Sequence, residues 1–167
     1  IDETLDTLGS AKVFSTLDLA TGYWQVEMEE KSREKTAFSC RKGLYEFNVM
    51  PFGLCNAPST FQRLMDLVLD GYLWNFCTVY LDDIVVFSPS FEKHVEQLDL
   101  IFKRLRKAGL TLKGSKCEFG KVEVPFLGHI ISANGIKPDQ RKIEAIVKWP
   151  TPTNKKDLAS FMGLIQY

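Results

Sequence analysis

The sequence lacks several features by which whole classes of protein are recognised. No apolar run approaches the ~20 residues of a membrane-spanning helix, so we expect no membrane partner. The chain has no initiator Met and no basic segment followed by an apolar one, as a secretory leader requires. Because it also stops inside an amphipathic pattern, we expect it to be a fragment of a longer polypeptide.

Cysteine and histidine are scarce, with four and two residues respectively. The cysteines show no C-x-x-C spacing, so a disulfide framework is not expected and a reducing compartment fits better. His94 and His129 have no recognisable zinc-site spacing to the cysteines. We expect both histidines to lie at the surface or to be satisfied by hydrogen bonds.

Net charge is also absent, since 21 Lys and Arg balance 21 Asp and Glu. Taken alone, this balance argues against a nucleic-acid partner. The charges are segregated, however: residues 1–40 and 41–92 carry −4 and −3, whereas residues 93–121 and 122–167 carry +5 and +2. This pattern fits a metal site beside a phosphate-binding surface, and it fits two ordinary solvated faces equally well.

The composition is that of a globular protein, with 45% hydrophobic and 25% charged residues. The length of 167 residues corresponds to one domain, or to one domain plus part of another. Alternating apolar residues predict a strand at 13–18, hairpins at 35–49 and 77–87, and short strands at 122–126 and 129–131. Residues 113–121 are predicted to be a basic loop. Strands packed against helices indicate an α+β fold with a mostly antiparallel sheet.

Helical periodicity predicts helices at residues 1–8, 56–71 and 90–109, and after Asp139 and Asn154. Asn56 and Ser90 are expected to cap the two long helices. The spacing of four apolar residues predicts that they form the inner face of the second long helix: Val95, Leu98, Phe102 and Leu105.

Two adjacent acids, Asp82 and Asp83, interrupt the apolar hairpin and are predicted to form its tip. This is an unfavourable turn, because two-residue loops favour Asn-Gly or Asp-Gly. Two carboxylates ~4 Å apart also repel by about 4 kcal/mol at an effective dielectric of ~20. A divalent cation reverses that sign, so the pair indicates a metal site, with an exposed acidic turn as the alternative.

A third acid, Asp18, ends the strand at 13–18 and stands beside the pair if this strand and the hairpin are neighbours. Three carboxylates on one sheet edge can hold two Mg²⁺ ions. Such ions, ~3.5–4 Å apart, suit in-line phosphoryl displacement. The constellation fits nucleotidyl transfer, and it also fits nucleases and cyclases.

Several long motifs resemble those of the reverse transcriptases. Tyr80-Leu81-Asp82-Asp83 resembles their YxDD box, and residues 14–25 resemble the motif around their first aspartate. The segments 35–38, 45–47, 50–62 and 126–130 are similar to further motifs of the family, in order and at suitable spacing. The residues of these motifs are most similar to those of the gypsy-type LTR retrotransposon polymerases. The segments that follow the palm in those polymerases are resembled by residues 136–138, 149–152 and 161–164.

The resemblance implies a right-hand polymerase palm, an antiparallel sheet packed on two helices. Residues 1–131 are expected to form the palm with partial fingers, including a fingers-side hairpin at 35–52, and residues 132–167 the beginning of the thumb or connection. The implied activity is RNA-directed DNA polymerisation with two Mg²⁺ ions (or Mn²⁺), dNTPs and a primer-template of RNA or DNA. A polyprotein with RNase H, protease and integrase, in cytoplasmic virus-like particles, is also implied. The alternatives are an RNA-dependent RNA polymerase and an inactive fragment that only binds nucleic acid.

The resemblance also implies individual roles. Asp18, Asp82 and Asp83 match the catalytic metal ligands, and the backbone carbonyl of Leu19 also faces a metal in the family. Tyr23 matches the aromatic gate that rejects a 2′-hydroxyl, with a buried core tyrosine as the alternative.

Further positions match the nucleotide and primer sites. Phe52 and Gly53 match the nucleotide-pocket segment, although the retroviral branch has glutamine where this chain has Phe52. Lys116 matches a lysine proposed as general acid toward pyrophosphate, with a solvated lysine as the alternative. The positions matching primer and template contacts are the YxDD residues Tyr80 and Leu81 and the primer-grip residues Phe126, Leu127 and Gly128.

Overall fold

The computed structural model describes the backbone of residues 11–166 and the side chains of residues 11–165. The helix predicted at residues 1–8 lies outside the described residues. In chain order the elements are β1 (Val13–Asp18), a 3-10 turn (Gly22–Gln25), α1 (Glu30–Arg33), a 3-10 turn (Glu34–Thr36), β2 (Phe38–Cys40), β3 (Gly43–Tyr45), α2 (Ala57–Val68), β4 (Cys77–Tyr80), β5 (Asp83–Ser88), α3 (Phe91–Lys107), a 3-10 turn (Gly114–Lys116), β6 (Glu118–Lys121), β7 (Glu123–Phe126), β8 (His129–Ser132), β9 (Gly135–Pro138), α4 (Gln140–Val147) and α5 (Lys155–Gln166).

Four antiparallel strands form the main sheet, in the order β4-β5-β1-β6. Helices α2 and α3 cover one face, where Phe61 and Ile101 pack with Leu17 and Ile84. The three-stranded sheet β7-β8-β9 covers part of the other face, where Val124 joins the second apolar cluster. The α+β prediction with an antiparallel sheet on two helices is therefore confirmed.

A buried polar chain ties α3 to the main sheet. His94 Nδ1 lies 2.7 Å from Ser88 Oγ, and His94 Nε2 lies 2.7 Å from Ser15 Oγ. Ser88 Oγ donates to Gln97 Oε1, and Ser15 Oγ accepts from Gly120 N at 3.0 Å. Because the Ser88 proton is directed to Gln97, His94 donates from Nδ1 to Ser88 Oγ. Burial lowers the pKa of His94 and so favours the neutral ring, whose Nε2 accepts from Ser15 Oγ. His94 is thus one of the hydrogen-bonded histidines that the sequence predicts.

Several predicted boundaries need correction. The hairpin predicted at 35–49 has strands only at 38–40 and 43–45, because residues 34–36 form a 3-10 turn. The basic loop predicted at 113–121 contains β6, which pairs with β1. The sequence patterns do not predict the strand β9, which pairs with β8.

The faces and caps of the long helices are predicted only in part. Val95 is 51% exposed, whereas the polar residues His94 and Gln97 are buried on the inner face of α3. Ser90 caps α3, since its Oγ accepts from Lys93 N at 3.3 Å. Asn56 occupies the cap position of α2, but its side chain makes no capping hydrogen bond.

All four cysteines are free, as the sequence analysis predicts. Among the described residues, no helix combines the length and apolar character needed to cross a bilayer.

Candidate active site

The loop between β4 and β5 consists of Leu81 and Asp82, because Tyr80 pairs directly with Asp83. The predicted tip at Asp82 and Asp83 is therefore wrong by one residue, and Asp83 is the first residue of β5. Leu81 has a φ of 54°, the left-handed conformation. For a residue other than glycine this conformation costs about 1–2 kcal/mol, so the turn is held by contacts elsewhere.

Gln62 of α2 supplies such contacts, and no sequence prediction assigned it a role of its own. Its Oε1 accepts from Leu81 N at 2.8 Å, and its Nε2 donates to Val79 O at 3.3 Å and to Asp66 Oδ1 at 2.9 Å. A lone glutamine on a helix gives no signal of contact with a turn 19 residues away. Gln62 thus connects α2 to the acidic turn.

Asp18 lies beside the acidic turn, since it is the cross-strand partner of Asp83 in the β1–β5 pair. The predicted juxtaposition of Asp18 with the acidic pair is therefore confirmed. Because strand residues alternate between faces, Asp18 and Asp83 lie on the same face of the sheet as Phe14 and Val85. This is the face opposite to the two long helices.

The acids destabilise one another in their ionised forms. Burial raises the pKa of Asp82, and the charges of Asp18 and Asp83 raise it further, whereas Lys116 lowers it. Burial and the charge of Asp18 likewise raise the pKa of Asp83. Within the described chain, Asp82 Oδ1 is buried without a hydrogen-bond partner. The cluster is therefore a place where an added positive charge is stabilising.

Lys116 supplies one such charge. Its Nζ lies 3.1 Å from Asp18 Oδ2, and its side chain is 57% exposed, against 21% for Asp18. The segment that carries it is fixed by Lys113 N, which donates to Asp18 O at 2.8 Å. The structure therefore places Lys116 at the carboxylate cluster, as a counterion to Asp18.

The donor set fits a hard divalent cation such as Mg²⁺, which prefers carboxylate and carbonyl oxygens. Three carboxylates converge, and Asp82 Oδ1 has no partner within residues 11–165. As the side chains stand, no three Asp, Glu, His or Cys groups among those described are close enough to ligate one ion. Leu19, the fourth residue expected at the metal, follows Asp18 directly and is buried.

The residues expected to bind a nucleotide form an aromatic group next to the acids. The ring of Tyr23 lies 5.3 Å from that of Phe52 and 5.5 Å from that of Phe61, between ring centroids. Burial and then the charge of Asp82 raise the pKa of Tyr23, so Tyr23, the predicted gate residue, lies near the acidic turn. Phe52 is 59% exposed, and Gly53 has a φ of +91° and space around it. Tyr23 and Phe52 are therefore brought together, with an accessible ring at the surface.

The residues expected to contact the primer line the other side of the acids. A cleft of about 480 Å³ is lined by Asp18, Tyr80, Leu81, Asp82, Asp83, Leu127, Gly128 and Lys142. An adjoining cleft of about 330 Å³ adds Phe126 and Arg141 to Asp18 and Asp83. Phe126 is only 4% exposed and belongs to the second apolar cluster, so most of its surface is buried in the core. The β7–β8 hairpin thus faces the acidic turn across an open cleft.

Comparison with known proteins agrees with this arrangement. The family described as "Reverse transcriptase (RNA-dependent DNA polymerase)" matches residues 2–131. The Pol polyprotein of transposon 297 from Drosophila melanogaster is 50% identical over the whole chain, and that of transposon gypsy from the same organism is 44% identical over 98% of it. The enzymatic polyprotein of cauliflower mosaic virus (strain NY8153) is 41% identical over 99% of it. The chain spans 16%, 16% and 24% of these relatives, respectively.

Solved structures that resemble this chain belong to the same family. The foamy viral protease-reverse transcriptase in complex with double-stranded DNA matches 98% of the chain with a TM-score of 0.88 at 28% identity, and the chain covers 29% of it. The same viral enzyme in complex with an RNA/DNA hybrid matches 98% of the chain with a TM-score of 0.85 at 28% identity, and the chain covers 22% of it. These matches confirm the predicted polymerase palm. The chain belongs to the reverse transcriptase family.

Proposed function

We propose that this chain carries the polymerase centre of an RNA-directed DNA polymerase within a retrotransposon Pol polyprotein. The observation that carries the proposal is the convergence of Asp18, Asp82 and Asp83 at one end of the main sheet, in a member of this family. The reaction joins the primer 3′-hydroxyl to the α-phosphate of a dNTP and releases pyrophosphate. The protein contributes positioning and charge stabilisation to such a transfer.

Two Mg²⁺ ions are the proposed cofactors, and Mn²⁺ is expected to substitute for them. Asp18, Asp82 and Asp83 are the proposed ligands, with the backbone carbonyl of Leu19. Bound ions of this kind activate the attacking oxygen and stabilise the leaving group. Asp82 Oδ1, which has no hydrogen-bond partner among the residues that the structure describes, and the raised pKa values of Asp82 and Asp83 support this assignment.

The dNTP is proposed to bind on the Tyr23 side of the acids, with Tyr23 beneath the deoxyribose and Phe52 and Gly53 along the pocket. Phe52 offers a ring face and backbone but no hydrogen-bonding side chain, so the contact there is apolar or through the backbone. Lys116 is proposed to lie at the phosphates. Its contact with Asp18 at 3.1 Å puts its ammonium group within reach of the carboxylates that would hold the metals.

The primer end of a primer-template is proposed to occupy the cleft between the acidic turn and the β7–β8 hairpin. Tyr80 and Leu81 form one wall, and Leu127 and Gly128 form the other. Phe126 supports the hairpin from the second apolar cluster. The foamy viral enzyme forms complexes with an RNA/DNA hybrid and with double-stranded DNA, which are ligands of the proposed kind.

The surrounding organisation is proposed from the relatives, which are Pol and enzymatic polyproteins. We expect fusion to protease, RNase H and integrase, and activity in cytoplasmic virus-like particles. The division into a palm at 1–131 and a thumb or connection segment at 132–167 stays a prediction. The family match ends at 131, while the three-stranded sheet continues to Pro138.

The test is primer extension by a Pol polypeptide that contains this chain, on an RNA template with dNTPs and Mg²⁺. Asp83→Asn is expected to lower the rate by about 100-fold or more, the effect of removing one group that stabilises a charged transition state. Asp70→Asn, an exposed acid beyond α2, is the matched control and is expected to retain activity. Extension by Asp83→Asn at the wild-type rate contradicts the proposed site.

A further inference from the structure

Gln25 is the last residue of the 3-10 turn that carries Tyr23, and its side-chain amide bonds to two backbone segments. Nε2 donates to Ala20 O at 2.7 Å and to Thr111 O at 3.0 Å. Oε1 accepts from Thr111 N at 2.7 Å. An amide that both donates to and accepts from one residue imitates a peptide group in an antiparallel strand pair.

This amide extends an existing backbone ladder. Ala20 N donates to Thr111 O at 3.0 Å, and Leu19 and Leu112 form an isolated antiparallel bridge. Two residues further along, Lys113 N donates to Asp18 O. Gln25 therefore fastens the turn of Tyr23 to the segment that also fixes Asp18.

The start of the same turn is fixed by close packing. A Cβ at Gly22 would lie 2.6 Å from Asp82 Oδ1 and 2.8 Å from Phe61 Cζ, so the backbone of the turn lies directly against both residues. Thr21, which precedes it, has a φ of 49°. The turn is thus held at Gly22 by contact with the acidic turn and at Gln25 by hydrogen bonds to Thr111. Tyr23 lies between these two attachments.

We propose that Gln25 is a positioning residue that sets the place of the Tyr23 ring and thereby the preference for dNTPs over NTPs. The proposal rests on the proposed polymerase function. A gate works by the distance between its ring and the 2′ position of the sugar, and small displacements of a positioned group have large effects on discrimination. Without the amide bonds, the turn keeps its attachment at Gly22 and the ring keeps its contacts with Phe52 and Phe61, but the attachment at Thr111 is lost and the position of the ring is less constrained.

The test measures kcat/KM for a dNTP and for the matching NTP on one primer-template, with the Pol polypeptide that contains this chain. Gln25→Met keeps the side-chain length and removes all three hydrogen bonds, and Gln25→Glu removes the two donors. Both variants are expected to lower the dNTP/NTP ratio on the order of tenfold. Thr21→Ala is the matched control, because the Thr21 hydroxyl bonds only to the adjacent Ala20 O among the contacts described and is expected to leave the ratio unchanged.

A double-mutant cycle separates positioning from a general loss of stability. If Gln25 acts through Tyr23, then Gln25→Met lowers the ratio no further in a Tyr23→Val background. The affinity for Mn²⁺, measured by electron paramagnetic resonance, is expected to stay at the wild-type value, since Gln25 touches no carboxylate in the described contacts. If Gln25→Met does not fold, Gln25→Asn, whose amide is one methylene short of Thr111, is measured with the same expectation.

The outcomes distinguish this inference from the proposed function. A wild-type polypeptide that incorporates no dNTP contradicts the polymerase function. A wild-type polypeptide that extends the primer, while the Gln25 variants keep the wild-type ratio, contradicts the positioning role alone. Additive effects of Gln25→Met and Tyr23→Val contradict it as well, because they indicate that the two residues act independently.

Discussion

Replacing Asp82 by Asn is expected to stabilise this protein in the absence of metal. Asp82 is destabilising in three ways: its Oδ1 is buried with no hydrogen-bond partner among the described residues, burial disfavours its charge, and Asp18 and Asp83 repel it. Asn has nearly the same shape and no charge, so the substitution removes the repulsion and most of the burial penalty. It leaves the packing against Gly22 intact.

The magnitude follows from the buried oxygen and the size of the chain. A buried polar group without a partner costs about 1–3 kcal/mol. Because part of this penalty remains for the Asn amide, we expect a gain of about 1–2 kcal/mol in the free energy of unfolding. For a chain of this size each kcal/mol shifts Tm by about 2–4 °C, which predicts an increase of about 2–8 °C.

The assay is thermal unfolding by circular dichroism in EDTA, repeated with Mn²⁺. Glu46→Gln, at an exposed carboxylate, is the matched control and is expected to shift Tm by less than about 1 °C, since exposed sites contribute little. Mn²⁺ is expected to raise Tm of the wild type more than that of Asp82→Asn, because the variant has lost a proposed ligand. An Asp82→Asn protein that is less stable than the wild type in EDTA refutes the reasoning.

Two further predictions concern the contact of Gly22 with the acidic turn and the buried polar chain that ties α3 to the main sheet. Gly22→Ala is expected to destabilise the protein by about 1–3 kcal/mol, because the added methyl overlaps Asp82 and Phe61; Gly163→Ala, where the space is open, is its control in the same unfolding assay. Burial lowers the pKa of His94 below 6.5, so the unfolded chain binds a proton there more readily than the folded one. The free energy of unfolding, measured with urea, is therefore expected to fall as pH decreases from 6.5 toward the folded-state pKa, and His94→Gln is expected to lack that part of the pH dependence.

The sequence allowed the centre of the site to be predicted because strand patterns are local. The alternation in residues 13–18 and 77–87 predicts two strands whose ends carry acids, and their antiparallel pairing puts Asp18 opposite Asp83. The roles of Tyr23 and Phe52 came only from the family resemblance. In the structure Tyr23 contacts both Phe52 and Phe61, a packing that no spacing rule predicts.

The errors have identifiable physical causes. The strand β6 lies at a sheet edge and all four of its residues are exposed. Its sequence therefore has no alternating apolar pattern, and the prediction for this segment is a loop. The apolar spacing predicts Val95 on the inner face of α3, but Val95 is exposed. His94 and Gln97 take that face because the hydroxyls of Ser15 and Ser88 satisfy them.

The corrected position of the acidic turn explains why its sequence is unfavourable for folding. The strand register gives Leu81 a positive φ, a conformation that favours glycine. It also leaves Asp82 in the loop, with one oxygen that has no hydrogen-bond partner in the described part of the chain. Both penalties fall on the two residues that follow Tyr80, and Gln62 offsets part of them by accepting from Leu81 N. Since glycine at 81 or asparagine at 82 would relieve the strain or the repulsion, stability does not account for these residues. The proposed cation site, on a turn that Gln62 of the neighbouring helix holds in one conformation, accounts for them.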